Sequence, residues 1–336
     1  MRGLILLSVL ISYMQPALAL DQAKILKSLQ SVVMIRGYND NGGLAYGSGV
    51  VVGENKVITN CHIFRTTKRP WIARGEDTYE ITEVQADRWH DLCLVKGTKL
   101  PFSPAPIGNL QDVKRNQEVL SIGHSNGVPN PLTSAGAIKS TYDFEGGRVI
   151  KSNAKFLMGA SGSGIFDLQG NLLGINTFKT PGRPAYFYSL PIAWLADLEK
   201  LPVETKFPIT GKAFWEEDDI NKPFFMQVAI PELSKDWPKL AEVAQRWIKA
   251  DPQNTEAWYE LGVANENMNK IDEAKQAYLQ SVALDAGNTD SLFRLGAIAQ
   301  TQGDKDALDK ANIAIAKVDQ ELANEFNKMV GCNFEC

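Results

Sequence analysis

Three short stretches of this chain carry residue types that could act together on an electrophile. Val57-Ile58-Thr59-Asn60-Cys61-His62 closes an apolar run with a histidine. His90-Asp91-Leu92-Cys93-Leu94-Val95 opens one beside an aspartate. Gly159-Ala160-Ser161-Gly162-Ser163-Gly164 surrounds a serine with glycines. A serine hydroxyl is a weak nucleophile at neutral pH and needs an adjacent base to take its proton. Imidazole suits that task because its ordinary pKa lies near neutrality. A buried carboxylate would fix the imidazole tautomer and stabilise the imidazolium. Glycines around the serine let the backbone turn tightly, so the amides of Gly159 and Ser161 could face a developing oxyanion. The candidates are therefore His62 as base, Asp91 as its orienting acid, Ser161 as nucleophile, and Gly159 with Ser161 as oxyanion hole.

Rival assignments are weaker. His90 sits next to Asp91, and on a strand it would point to the opposite face, so solvated surface is expected for it. His124 follows Ser121-Ile122-Gly123 and reads as a loop residue. Asp87 lacks the apolar strand that follows Asp91.

These residues need a scaffold. From Ser31 to about Pro191 the chain reads as short strands separated by Gly, Pro and Asn turns. They include Ser31–Tyr38, Gly49–Val52, Lys56–Thr59, Leu92–Lys96, Glu118–Ile122, Ala137–Tyr142, Val149–Asn153 and Leu172–Phe178. That pattern predicts an all-β barrel or sandwich. From about Leu233 the period becomes that of amphipathic helices. At an offset of 34 residues, Thr255–Gly262 aligns with Thr289–Gly296. Trp258-x-x-Leu261-Gly262, followed by Ala274, Ala277 and Tyr278, resembles the tetratricopeptide (TPR) pattern. Two repeats are expected, with a preceding helix over Trp237–Ala250 and a trailing one over Ala311–Met329.

The β half resembles the trypsin-fold serine peptidases, in particular the HtrA/Deg-like and staphylococcal glutamyl-endopeptidase-like bacterial groups. The resemblance rests on Thr59-Asn60-Cys61-His62, Asp91–Val95 and Gly159–Gly164, which occur in that fold's order of His, Asp and Ser. Ser121-Ile122-Gly123, Thr133–Ile138, Gly174–Thr177 and Tyr188–Pro191 support it. The resemblance covers roughly residues 31–201 and implies two six-stranded β-barrels with the site in the cleft between them. Ala160 departs from the usual Asn or Asp before the serine, which touches loop packing. A TPR segment stands where most HtrA/Deg proteins carry a PDZ-like domain.

The expected fold is thus multidomain, a trypsin-like double barrel followed by an all-α TPR solenoid. The expected divisions are a signal peptide over 1–19, a peptidase domain over 20–205, a linker or packed extension over 206–233, helical repeats over 234–330 and a tail over 331–336. If the triad forms, Cys61 and Cys93 are brought together, and a disulfide between them is predicted; the alternative is two small buried thiols. Cys332 and Cys336 could pair locally, staple the tail or stay free. In trypsin-like enzymes an acidic residue six positions before the serine selects Lys or Arg. Lys155 stands there, which argues against that preference. Ile175, Asn176, Thr177 and Phe178, with Leu157 and Met158, would line the pocket and suit an apolar or small side chain.

Composition agrees with this plan. The chain has 336 residues, 44% hydrophobic and 22% charged, with a net charge of −4, which excludes wholesale disorder. Residues 20–205 carry 20 Lys and Arg against 17 Asp and Glu, while residues 206–336 carry 14 against 22. Neither half has a dense basic stripe, so nucleic acid is not expected as a partner. Four cysteines and three histidines, without CxxC, HxxxH or HExxH spacing, point to no metal, and no cofactor is expected. Arg2, the apolar run Leu4–Ile11 and Ala17-Leu18-Ala19 form a cleavable export signal in pattern, so a bacterial periplasmic or secreted location is expected. No stretch of the mature chain is expected to span a membrane. The expected partners are a protein or peptide substrate and a protein held by the TPR groove. The expected function is an exported serine endopeptidase. The alternatives are a catalytically silent or latent protease fold acting as a TPR-mediated adaptor.

Overall fold

The computed structural model describes residues 22–109, 113–182 and 184–331. The leader expected over 1–19, Cys332 and Cys336 lie outside the described residues.

After a short helix α1 (Gln22–Ser31), the strands β1 (Val32–Tyr38), β2 (Leu44–Gly53), β3 (Lys56–Asn60), β4 (Trp71–Arg74), β5 (Asp77–Asp87) and β6 (Leu92–Gly97) close a barrel. Its strand order is β1-β2-β3-β6-β5-β4. A second barrel follows, from β7 (Glu118–Gly123), β8 (Leu132–Phe144), β9 (Gly147–Ser152), β10 (Gly164–Asp167), β11 (Leu172–Lys179) and β12 (Phe187–Pro191). It closes in the corresponding order, β7-β8-β9-β12-β11-β10. The two barrels share one topology, and closure leaves neither with an open sheet edge. Valine and isoleucine dominate the buried positions of both barrels: Val33, Ile35, Val51 and Val57 in the first, Val119, Ile122, Ile150 and Ile175 in the second, all fully buried.

The chain then crosses back through α2 (Leu195–Leu198) and an extended segment to two short helices, α3 (Phe224–Gln227) and α4 (Ala229–Ser234). The helical region continues as α5 (Trp237–Ala250), α6 (Thr255–Asn267), α7 (Ile271–Leu284), α8 (Thr289–Gln302), α9 (Lys305–Val318) and α10 (Gln320–Gly331). The pairs α6/α7 and α8/α9 repeat at the 34-residue offset. Asn254 and Asn288 cap α6 and α8 by accepting from the amides of Ala257 and Ser291, which satisfies donors that a helix start leaves free. The glycine of each Leu-Gly pair admits an aromatic ring. A methyl group on Gly262 would lie 2.4 Å from Tyr278, and one on Gly296 would lie 2.3 Å from Phe326.

One expected element is corrected. The single trailing helix over Ala311–Met329 is two helices. Asp319 is extended (φ −152°, ψ 108°), ends α9, and accepts from the amide of Leu322 to start α10.

The helices do not hang from the barrels. One apolar core runs from Val32, Val50 and Leu92 of the first barrel through the second barrel and on to Leu240, Val263 and Tyr278, while Val33, Ile35, Val51 and Val57 belong to a separate core of the first barrel. Tyr142 of β8 stacks on Phe225 at 5.0 Å. Polar bonds flank this packing: Lys151 to Glu232 at 3.3 Å, Ser140 to Glu256 at 3.2 Å, and an Arg115–Asp290 ion pair. Among the described residues, no helix is long and apolar enough to cross a membrane.

Candidate active site

The register of β3 and β6 builds the first half of the site. Thr59 pairs with Cys93 and Asn60 with Leu92. The residues just after β3 therefore meet those just before β6. His62 lies in a single 3-10 turn, Cys61–Phe64, and Asp91 in the turn entering β6, at φ +56°. The Asp91 carbonyl accepts from the Cys61 amide at 3.2 Å. Its carboxylate accepts from the His62 amide at 2.8 Å through Oδ1 and meets His62 Nδ1 at 2.6 Å through Oδ2. Asp91 is fully buried, while the His62 ring remains 23% exposed. With Nδ1 held by the carboxylate, Nε2 is left as the basic nitrogen. Cys61 and Cys93 form a disulfide across the same ladder, with Cα atoms 5.0 Å apart.

The second half comes from the loop between β9 and β10. Gly159 (φ +90°) and Gly162 (φ +82°) take backbone conformations that side chains rarely adopt, on either side of Ser161. The loop is pinned to the first barrel through Ser48 of β2. The Ser48 amide donates to the Ser161 carbonyl at 2.8 Å, and its hydroxyl donates to the Gly159 carbonyl at 2.8 Å. A methyl group on Gly47 would strike Ile63, the residue after His62, at 2.3 Å and lie 3.2 Å from the Ser161 carbonyl. One on Gly162 would meet the Ser48 carbonyl at 2.2 Å. Glycine at both positions is what lets the loop lie against the His62 turn. Ala160 is buried with Phe156 and Phe187, so the departure from Asn or Asp serves loop packing.

The peptide planes around the serine are fixed by their carbonyls. Met158 O accepts from the Asn126 amide at 2.5 Å, and Ala160 O from the Ser163 amide at 2.9 Å. In a trans peptide the N–H points opposite to the C=O, so the amides of Gly159 and Ser161 are turned away from these acceptors. Among the described residues, neither donates to a backbone carbonyl. The Ser161 hydroxyl is half-buried and makes no hydrogen bond with His62. The site thus joins base and acid directly and brings the nucleophile loop alongside.

The other expected residues divide. Lys155 is exposed. Ile175 and Asn176 are core residues. The Asn176 amide donates to Ser121, Ser163 and the Gly164 carbonyl, and its oxygen accepts from Ser189. Both faces of β11 are buried here, and the Asn176 side chain is spent on these partners, so it does not line a pocket. Thr177 accepts from Asn60, whose amide also donates to the Asp91 carbonyl, so it ties the second barrel to the acid. Phe178 reaches the site edge. Leu157 and Met158 are exposed beside Gly159, at 51% and 76%.

His90 corrects an expectation. It is not solvated surface, because the chain turns at Asp91 and the strand alternation assumed for it does not apply. Its ring lies 4.0 Å from Trp194 and bonds Asp87 at 2.6 Å and Glu145 at 2.8 Å. Burial opposes its charge, but Asp87 and Glu145 outweigh burial and raise its pKa above the ordinary value. Asp87 is thereby occupied. His124 is buried, bonds the Val128 carbonyl at 2.9 Å, and has its pKa lowered by burial.

Sequence reading missed Trp215. It lies in the segment after the barrels, in no motif. Its indole N–H donates to Asp91 Oδ2 at 3.2 Å. Its ring meets the His62 ring edge-on at 5.7 Å and stacks on Phe178 at 5.5 Å. Beyond it opens a cleft of about 670 Å³, lined in part by Phe178, Tyr188, Ile220, Met226 and Ile230.

Residues 47–175 match the trypsin-like peptidase domain family. The barrel pair is a trypsin-like peptidase domain. Residues 243–276 match the tetratricopeptide repeat, so this domain is followed by TPR-type helices. The chain is 27% identical over 146 residues to the mitochondrial serine protease HTRA2 of Bos taurus, covering 40% of this chain and 32% of that one. It is 28% identical over 153 residues to the anti-sigma-I factor RsgI9 of Acetivibrio thermocellus, covering 44% of this chain and 22% of that one. The chain spans less than a third of the length of these two curated relatives. The crystal structure of the Rv3671c protease from M. tuberculosis, active form, shares the fold with a TM-score of 0.51 at 22% identity, covering 59% of this chain and 91% of that one.

Proposed function

We propose that this chain is an exported serine endopeptidase whose TPR-type helices hold a protein substrate or partner. Ser161 attacks the scissile carbonyl while His62 Nε2 takes its proton. Asp91 holds Nδ1–H and stabilises the imidazolium, and the Gly159 and Ser161 amides receive the oxyanion. His62 then protonates the leaving amine, and water releases the acyl group by the same route. The observation that carries this reading is the 2.6 Å contact between His62 Nδ1 and the buried Asp91 carboxylate. A carboxylate without solvent needs donors, and here a catalytic-type imidazole supplies one. The bond from the Asn126 amide to Met158 O supports a working oxyanion hole, since it turns the Gly159 N–H of the same peptide plane the opposite way. Exposed Leu157 and Met158 and the Phe178 wall suit an apolar side chain at the cleaved bond.

A second reading is a latent or silent protease fold serving as an adaptor. The observation that favours it is the Ser161 hydroxyl, which makes no hydrogen bond to His62. Loose serine–histidine geometry before substrate binds is nonetheless ordinary in such sites. Hydrolysis of an unfolded protein by the mature chain separates the two. Cleavage that Ser161→Ala and His62→Ala each reduce by about 10⁴-fold or more supports the enzyme. Partner binding with no cleavage under any partner or reductant condition supports the adaptor.

A further inference from the structure

We infer that Trp215 is a positioning residue for the His62–Asp91 pair, so that the post-barrel segment completes the catalytic apparatus. The inference rests on the peptidase reading above. Asp91 is fully buried, so its oxygens need donors held inside the fold. Oδ1 receives the His62 amide, and Oδ2 receives His62 Nδ1 together with the Trp215 indole N–H. Among the described residues, no barrel side chain other than His62 donates to this carboxylate. The Thr177 hydroxyl, which lies in the same neighbourhood, donates instead to the Ile175 carbonyl at 2.9 Å. Trp215 thus supplies from 124 residues away what the barrels do not. A second donor on Oδ2 fixes the carboxylate plane, and the edge-on indole limits rotation of the imidazole.

The segment is built to hold that ring. Arg65, one residue beyond the His62 turn, grips Glu216 through both guanidinium nitrogens at 2.6 and 2.5 Å. Glu216 also accepts from the Ala213 amide at 2.9 Å, and the Phe214 amide donates to the Trp89 carbonyl at 3.0 Å. Phe214 is fully buried against Phe144 and Phe225. The charged groups facing the His62–Asp91 pair from this side are Arg65 and Glu216, which neutralise one another. The Glu216 bond to Arg65 holds its carboxyl below the ordinary range against the effect of burial. Because α3 follows directly, the helical region and the catalytic pair are joined through this one segment.

The test is Trp215→Phe in the full mature chain, which keeps an aromatic ring against Phe178 and removes the N–H donor with part of the indole. Three readouts are needed: the second-order rate of Ser161 labelling by a small fluorophosphonate, kcat and KM on a peptide, and the low-field proton resonance of the His62–Asp91 hydrogen bond. The labelling rate and kcat are expected to fall about tenfold, equal to ~1.4 kcal/mol of barrier, with KM changed less than twofold and the resonance shifted. Trp215→Ala should lower the rate at least as far and also raise KM. An unchanged labelling rate in Trp215→Phe, or an unmoved resonance, overturns the inference. If the wild type itself does not label, the peptidase reading fails, and the resonance alone decides whether Trp215 holds Asp91.

Discussion

Thr59 and Cys93 stand opposite one another in the ladder between β3 and β6, and this pairing sets the imidazole of His62 on the carboxylate of Asp91. The Cys61–Cys93 disulfide crosses the same ladder. It ties the base-bearing turn to the acid-bearing strand at a sequence separation of 32 residues. Closing a loop of this length in the unfolded chain is worth about 3–4 kcal/mol in the chain-entropy account. The double variant Cys61→Ala, Cys93→Ala should lose about that much unfolding free energy in denaturant titrations. Reductant should lower the midpoint of the wild type and leave the variant unmoved.

Gly162 admits no side chain. Its φ is +82°, and a methyl group there would meet the Ser48 carbonyl and the Thr59 hydroxyl at 2.2 and 2.3 Å. Gly162→Ala should displace the Ser161 loop from β2, costing about 1–3 kcal/mol of stability. Activity should fall by tenfold or more at a temperature where circular dichroism shows the fold intact.

The packing of the helices on the second barrel should weaken as pH rises. Burial, with Asp290 adding to it, pushes Glu256 up to about 7. Burial, with Glu232 adding to it, pushes Glu260 up to about 8. Lys151 and Arg115 face both groups and oppose the shift, and Tyr142 and Tyr188 lie beside Lys151. A carboxyl whose pKa is higher in the fold than the unfolded value near 4.5 binds its proton more tightly when folded. Its contribution is complete below about pH 4.5 and is lost as pH climbs through about 8. The thermal midpoint should therefore decline across pH 5 to 8, and Glu260→Gln should flatten that decline.

The glycines of the repeat set the helix spacing. Gly262→Val should drive its side chain into Tyr278, which lies 2.4 Å from where the first carbon would sit. A loss of about 1–3 kcal/mol is expected, read as a lower midpoint for helical signal and for Trp247 fluorescence together, because one core joins the helices to the barrel.

Much of this arrangement is legible in the sequence because the informative residues are local. His62, Asp91 and Ser161 each sit in a short motif whose glycines or apolar runs have one physical purpose. The 34-residue repeat is legible because small residues must recur where helices approach. The trailing helix was misread for want of one comparison: Asp251, Asp285 and Asp319 recur at the same spacing, and each ends a helix at a φ of −140° to −152°. Strand β5 was hidden by its charge, since Glu80 and Glu83 lie on an exposed face of the barrel. Asn176 was misplaced because both faces of β11 are buried, which motif membership does not reveal. Trp215 was out of reach, because its partner lies 124 residues earlier and no periodicity links them.

The central claim is that His62 and Asp91 activate Ser161. It is tested most directly by treating the oxidised protein with a fluorophosphonate and locating the adduct by peptide mass spectrometry. The account predicts a single adduct on Ser161, abolished in Ser161→Ala and slowed by orders of magnitude in His62→Ala. An unlabelled wild type, or labelling that persists undiminished in Ser161→Ala, would contradict it.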